Sequence, residues 1–378
     1  MRSFESFSAT ARGYSHIRRG SACEDASGHA DTEGVSIAAV ADGHGDSACF
    51  RSAEGAKLAV DIALKDMEIF YNALRENGWE QHLLEENGRE ALLRQLIRSI
   101  VGKWTAGVLR QYEENPPTPE ELAGAGEARG HAPSIPHIFG TTLLAAMVTE
   151  RFYLILQQGD GRCIVVHADG RIDQPVPWDE RCLMNFTTSL CNADAIESCR
   201  YYVGDMREDP ILACYVITDG VEDAFDDQSG VNAFMGKVTG WLAGMGARGL
   251  EEYLGEFLPD FSRTGSADDV SVAGIADAAA AAPFAERFFI GAERFELLGR
   301  LNAARSKLNS MQRKTDYLRT RYEQAQESFA ASERRLDEAK AEYDEWMDQR
   351  RVYEDSVEAA QKELATLDER LAGLESGK

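Results

Sequence analysis

The sequence predicts a mixed α and β domain over residues 1–277, followed by a long coiled-coil helix. Three observations carry this expectation. Short runs of small and β-branched apolar residues recur, with an acidic residue at one end. Long segments with one apolar and one polar face are interspersed with them. Beyond an alanine-rich stretch, the pattern changes to an unbroken heptad.

The run Val35–Ala41 reads as a buried strand that passes straight into Asp42-Gly43-His44-Gly45. A carboxylate at the end of such a strand is held rigidly. The two glycines let the backbone turn and approach a ligand, with the Gly43 carbonyl available as an oxygen donor. Helices are expected at 49–76 and 87–113. Between Glu113 and His137 the chain is rich in Pro, Gly and Ala, which reads as a long loop, more readily disordered than functional. Strands are expected at Thr141–Thr149, Arg151–Gln157, Cys163–His167 and Arg171–Ile172, with Asp169-Gly170 as an ordinary hairpin turn. The opening pattern returns at Ile211–Thr218, which runs into Asp219-Gly220. Asp268-Asp269 stands at the start of Val270–Ile275. Three acidic strand ends imply one site, built from distant parts of the chain, that holds hard divalent cations.

Ala276–Ala282 is nearly all alanine and ends at Pro283, so 278–290 reads as a linker and 291–376 as a coiled coil. Leu301, Leu308, Tyr322, Phe329, Leu336, Tyr343, Val357, Leu364 and Leu371 share one heptad position. Ala304, Met311, Leu318, Ala325, Ala339, Trp346, Tyr353, Ala360, Leu367 and Leu374 share the position three residues on. Only Thr315, Ser332 and Arg350 interrupt the stripe, and no Gly or Pro lies between Gly299 and Gly373 to mark a hairpin. One continuous helix of about 110 Å is expected. Its stripe needs a partner, either a second copy or a hetero-coil protein; the alternative is a solvated, charged single helix. Arg350 either sets register or snorkels outward.

Composition removes several classes. The chain has 378 residues and a net charge of −24, which opposes binding to nucleic acid or to anionic membranes. No apolar stretch approaches the roughly 20 residues needed to span a bilayer, and the N-terminus lacks a signal peptide's apolar core. Seven cysteines form no Cys-x-x-Cys pair, and a reducing, cytoplasmic location is expected.

The donor set narrows the chemistry further. Oxygen ligands from Asp and a backbone carbonyl suit Mn²⁺ or Mg²⁺ rather than Zn²⁺, which favours His and Cys. Two such cations sharing a carboxylate would lower the pKa of a bridging water, and phosphoester hydrolysis is the reaction this serves best. His44, two residues after Asp42, stands where it could give a proton to the leaving oxygen; a purely structural histidine is the alternative.

With these residues in view, the chain resembles the metal-dependent protein phosphatases of the type 2C family, in their bacterial form. The resemblance lies in Cys23-Glu24-Asp25-Ala26, Asp42-Gly43-His44-Gly45, Phe139-Gly140-Thr141-Thr142, Gly159-Asp160-Gly161-Arg162, Thr218-Asp219-Gly220 and Asp268-Asp269-Val270-Ser271, in that order over about residues 8–276. It implies an α+β fold: an α-β-β-α sandwich of two antiparallel sheets flanked by helices, with metals at one end. It further implies that Asp42 bridges two metals, that Asp219 and Asp268 complete the first, and that the Gly43 carbonyl serves the second. Glu24 and Asp25 would hold metal-bound waters, with a direct bond from Glu24 as the alternative. Asp160 and Asp223 match positions of a weaker third metal, although a turn residue and a helix N-terminal acid explain them as simply.

Some details depart from the family pattern. Asp269 stands where many relatives carry Asn, and Gly161 replaces a commoner Ser. Gly20 occupies the place of the phosphate-binding arginine of the animal enzymes, which leaves Arg18 or Arg19 to reach phosphate, with His16 nearby. Phe139-Gly140-Thr141-Thr142 is expected to pack beneath the site. Residues 173–209, with Cys182, Cys191 and Cys199 as buried thiols, fall where the family carries a variable flap. The resemblance implies a serine/threonine protein phosphatase, with phosphoprotein substrates of a Ser/Thr kinase as partners. A non-catalytic scaffold or sensor signalling through the coil is the alternative.

Overall fold

Every residue of Val35–Ala41 is buried because both faces of this strand are covered. Alternate side chains point to opposite faces of a strand. Ala38 and Val40 therefore pack with Leu144, Tyr153, Val165, Val216 and Ile275 between two sheets, while Ile37 and Ala39 pack against Ala56, Val60, Met67 and Trp104 of the flanking helices. An antiparallel sheet wetted on one side would show alternating polarity; a sheet covered on both sides reads as the continuous apolar runs of this sequence.

The structure is a computed structural model that describes residues 3–129, 133–182, 186–327 and 333–376. The strands are β1 (Glu5–Ala11), β2 (Ala26–Thr32), β3 (Val35–Ala41), β4 (Leu143–Thr149), β5 (Phe152–Gln158), β6 (Arg162–His167), β7 (Ile172–Asp173), β8 (Arg200–Asp205), β9 (Ile211–Ile217) and β10 (Val270–Ala276). They form two five-stranded sheets, ordered β1-β10-β9-β6-β7 and β2-β3-β4-β5-β8. The helices are α1 (Tyr14–Arg19), α2 (Ser52–Asn77), α3 (Glu80–Leu84), α4 (Glu86–Glu114), α5 (Pro119–Arg129), α6 (Ile135–Ile138), α7 (Ala195–Ser198), α8 (Asp219–Glu222), α9 (Gln228–Thr264), α10 (Ala278–Ala281), α11 (Ala285–Glu327) and α12 (Glu333–Ser376). Helices α2 and α4 cover one sheet. The other is covered by α9, whose Thr239 hydroxyl lies 2.8 Å from the Tyr215 hydroxyl. The expected sandwich of two antiparallel sheets flanked by helices is the observed architecture.

The Pro-rich stretch between Glu113 and His137 differs from the expected disorder. It contains α5 and α6, while residues 130–132 lie outside the described set. A capping box starts α5. The Thr118 hydroxyl accepts from the Glu121 amide at 3.2 Å, and the Glu121 carboxylate accepts from the Thr118 amide at 2.7 Å. Pro119 sits at the first helical position, where its missing N–H costs nothing.

The chain divides into two compact units, Met1–Ala285 and Glu286–Lys378. In the second, the expected long helical segment is present as two helices rather than one. They run antiparallel: Arg294 pairs with Asp368 at 2.6 Å, Arg300 with Glu363 at 3.7 Å and Lys314 with Glu342 at 3.4 Å. Leu301, Met311, Leu318 and Ala339 of the stripe are buried, and its other described members are half-buried. Ser332 and the side chains of Ala325, Phe329 and Leu374 lie outside the described set. Arg350 reaches out to Glu354 at 3.0 Å. The stripe thus meets its partner within the same chain.

Carbodiimide treatment of the full-length protein should couple Lys314 to Glu342 within the monomer band, with the Lys362–Glu358 pair as internal control. In a continuous helix the two residues would stand about 42 Å apart. Coupling found only in a dimer-sized band, read by mass spectrometry, would argue against the hairpin.

Candidate active site

Antiparallel register decides which chain termini meet. The end of β3 lies opposite the start of β2 (Ala41↔Ala26) and beside the start of β4 (Val40↔Leu144). The end of β9 lies beside the start of β6 (Ile217↔Arg162), and the end of β1 beside the start of β10 (Ala11↔Val270). The segments that precede or follow those termini open onto one cavity of about 890 Å³. It is lined by Glu24, Asp25, Asp42, Gly43, His44, Asp160, Asp219, Asp223 and Asp268. Arg19 also lines it, whereas Arg18 is exposed outside the lining.

Asp42 is fixed by its backbone: its amide donates to the Thr142 hydroxyl at 2.9 Å, and its carbonyl accepts from the Thr142 amide at 2.8 Å and the Thr141 hydroxyl at 2.9 Å. Gly43 does not need a left-handed backbone. A Cβ there would stand 2.7 Å from the Glu24 carbonyl oxygen, so close approach is what requires glycine. Glu24 accepts from the Ser52 hydroxyl at 2.9 Å. Asp25 is buried and accepts from the Thr218 and Ser271 hydroxyls, each at 2.8 Å. Asp269, the departure from the family pattern, is buried and accepts from the amides of Gly13 at 2.5 Å and Glu24 at 2.6 Å, which ties three segments together. Asp268 keeps its side chain half exposed.

Burial dominates the electrostatics. It pushes the carboxyls of Glu24, Asp160 and Asp223 up. Asp25 rises to about 8 through burial, against the pull of its two hydroxyl donors and with repulsion from Asp269 and Asp219. Asp42 and Asp219 are both raised by burial and by charged neighbours. In both, burial is the largest cause and the charges of neighbouring carboxyls add to it. Such a cluster holds either protons or cations. Among the described residues, no three His, Cys, Asp or Glu side chains already converge as ligands of one ion. The donors are nevertheless nearly all oxygens, with a backbone carbonyl among them, and that chemistry fits hard divalent cations completed by water.

His44 lines the cavity, and its Nε2 lies 2.8 Å from the Ser189 hydroxyl. Sequence reasoning missed this partner, as it missed His137, Cys191 and Asn192 in the lining. It noted His16 only as a neighbour; His16 is buried, with Nδ1 3.1 Å from Asp269 and Nε2 3.5 Å from Asp268. Arg19 donates to the Ser15 hydroxyl at 3.0 Å. Nothing in the spacing of these residues announces the contacts, which arise where the flap and α1 fold over the strand ends.

The sequence profile of protein phosphatase 2C matches residues 12–259. The chain belongs to that family. This makes the protein a phosphatase. Solved structures similar to the phosphatase include the serine/threonine phosphatase Stp1 from Staphylococcus aureus (18% identity, TM-score 0.42, covering 73% of this chain and 95% of that one). Another is PstP/Ppp from Mycobacterium tuberculosis (16%, 0.42, 72% and 98%). A third is the catalytic domain of PstP in complex with two manganese ions (16%, 0.43, 72% and 97%). No curated protein matched the chain by sequence. Among the described residues, no helix is long and apolar enough to cross a membrane.

The raised carboxyls set a direction for stability. A carboxyl whose pKa is higher in the folded state binds its proton more tightly there, so its contribution is lost as pH rises through the folded value. In EDTA, the phosphatase should therefore lose thermal stability between about pH 4 and pH 8, the window that runs from the ordinary aspartate value to Asp25 at about 8. The Asp25→Asn variant should lose less over the same range. Calorimetry giving identical slopes for the two proteins would contradict this.

Proposed function

We propose that the protein is a Mn²⁺- or Mg²⁺-dependent phosphatase of phosphoserine and phosphothreonine in proteins. The observation that supports this reading best is the set of acids gathered around one cavity, from buried Asp25 to exposed Asp268, beside a histidine. Asp42 would be shared by two cations, Asp219 and Asp268 would complete the first, and the Gly43 carbonyl the second. Glu24 and Asp25 would hold coordinated water, with Glu24 able to bond directly. Asp160 and Asp223 would hold a weaker third cation.

When bound, the cations supply positive charge and lower the pKa of water for attack on phosphorus. The chain's own residues do the rest. His44 gives a proton to the departing serine or threonine oxygen. Arg19, in the lining, meets the substrate phosphate more readily than Arg18, which stands outside it. The 173–209 flap, with Phe186 exposed beside the cavity, selects among phosphoproteins.

In this reading residues 1–277 form the catalytic domain, 278–290 join it to the coil, and 291–376 form a coiled coil that docks a partner or a second copy. The substrates are targets of a Ser/Thr kinase, and the location is cytoplasmic.

Phosphate release from a phosphothreonine peptide should depend on Mn²⁺ and stop in EDTA. Asp219→Asn should lower kcat/KM by more than about 100-fold while the protein stays folded. A folded wild type that releases no phosphate at any Mn²⁺ concentration would overturn the proposal and favour a scaffold.

A further inference from the structure

The hydroxyl of Ser189 is buried where the flap meets the strand ends, and it lies 2.8 Å from Nε2 of His44. Its geometry fixes the direction of that hydrogen bond. A serine hydroxyl carries one proton, and here it donates to the Thr141 carbonyl at 2.9 Å. The Cys191 sulfur at 3.2 Å is its other acceptor, and the Cys191 amide points at the oxygen from 3.3 Å. Neither arrangement leaves the serine proton for the imidazole. The 2.8 Å contact with His44 therefore needs Nε2 to carry the hydrogen.

The ring is held from two more directions. The His44 amide donates to the Gly140 carbonyl at 3.1 Å. Its Cδ2 lies so close over Gly140 that a Cβ there would stand 2.7 Å away. Thr141 meanwhile bonds the Asp42 carbonyl through its own hydroxyl at 2.9 Å. One short segment, Gly140-Thr141, thus holds the backbone of Asp42, meets the Cδ2 atom of the His44 ring and, through Ser189, fixes Nε2.

We infer that Ser189 is a positioning residue for His44: it accepts the Nε2 hydrogen, so the proton that reaches the leaving oxygen comes from Nδ1. As the P–O bond breaks, its electron pair stays on the serine or threonine oxygen. That oxygen takes the Nδ1 proton, and the imidazole is left neutral with its hydrogen on Nε2. The consequence for catalysis rests on the phosphatase reading; the ring contact does not.

Two measurements on the full chain separate these. In ¹⁵N-labelled, metal-free protein at pH 8, two-bond correlations should give His44 as the Nε2–H tautomer, assigned by its loss in His44→Gln. That preference should weaken in Ser189→Ala. An Nδ1–H tautomer in the wild type would overturn the inference whatever the activity.

Kinetics give the second readout. A proton donor matters most for a basic leaving oxygen, so Ser189→Ala should lower kcat on a phosphothreonine peptide by about 10- to 100-fold. On p-nitrophenyl phosphate, whose leaving group needs little protonation, the loss should stay below about 3-fold, with KM little changed. His44→Gln should show the same selectivity, more strongly. Equal losses on both substrates, or a peptide rate untouched by Ser189→Ala while His44→Gln is selective, would refute the positioning role. A wild type inactive on both substrates with every divalent cation would sink the phosphatase reading, and the tautomer would still decide the contact. The Leu190 amide also bonds the Thr141 carbonyl, at 3.0 Å, so the loop keeps an anchor in Ser189→Ala.

Discussion

Repulsion among the carboxyls of Asp25, Asp42 and Asp219, with Asp160 close by, is what this end of the sandwich is built to withstand. Burying charge without a partner costs several kcal/mol per ion, and the neighbouring residues answer that cost one carboxyl at a time. Thr218 and Ser271 give hydroxyls to Asp25, Ser52 gives one to Glu24, and the Gly13 and Glu24 amides satisfy Asp269. Asp42 and Asp219 have no such donor among these contacts, and burial together with acidic neighbours raises both. The acids with dedicated hydroxyl or amide donors are therefore fixed in place, while the Asp42–Asp219 pair offers the charge that a cation can take up.

That division of labour depends on strand register. The acids come from segments as far apart as Glu24 and Asp268, and only antiparallel pairing carries their strand termini to one end. A slip of one residue in β3 would exchange Ala38 and Val40 for Ile37 and Ala39 between the sheets. It would also turn Asp42 away from the cavity. The two-sided core therefore sets the geometry of the site as well as the stability of the domain.

Much of this was legible in the sequence because its cause is local. A strand buried on both faces announces itself as an apolar run, and β3, β4, β5, β6, β9 and β10 were expected to within two residues of their observed ends. The acids at their termini were legible for the same reason. Strand β2 was not, since Ala26–Thr32 is half-buried and its Ser, Gly, His and Asp give no apolar run. The α5 helix was masked by its Pro and Gly content, although Thr118, Pro119 and Glu121 spell a capping box when read by position. The Ser189–His44 contact spans 145 residues and carries no periodic signal. It exists only once the flap has closed over the strand ends.

The C-terminal stripe shows a different limit. A heptad states that a helix must meet another apolar face, and it is silent on whose face that is. Here α12 is the partner of α11 within one chain, and the polar interruptions help explain how the two helices find their register. Arg300 faces Glu363 and Arg319 faces Tyr343, which puts Thr315 within a turn of Arg350 across the seam. Thr315 is buried with no hydrogen-bond partner for its hydroxyl among the described residues, while Arg350 turns outward to Glu354. A shift by one heptad would separate these two imperfect layers and oppose each to an apolar one, adding a second defect where the observed pairing has one. Polar residues in a stripe thus lower stability and, by the same means, disfavour the slipped alternatives.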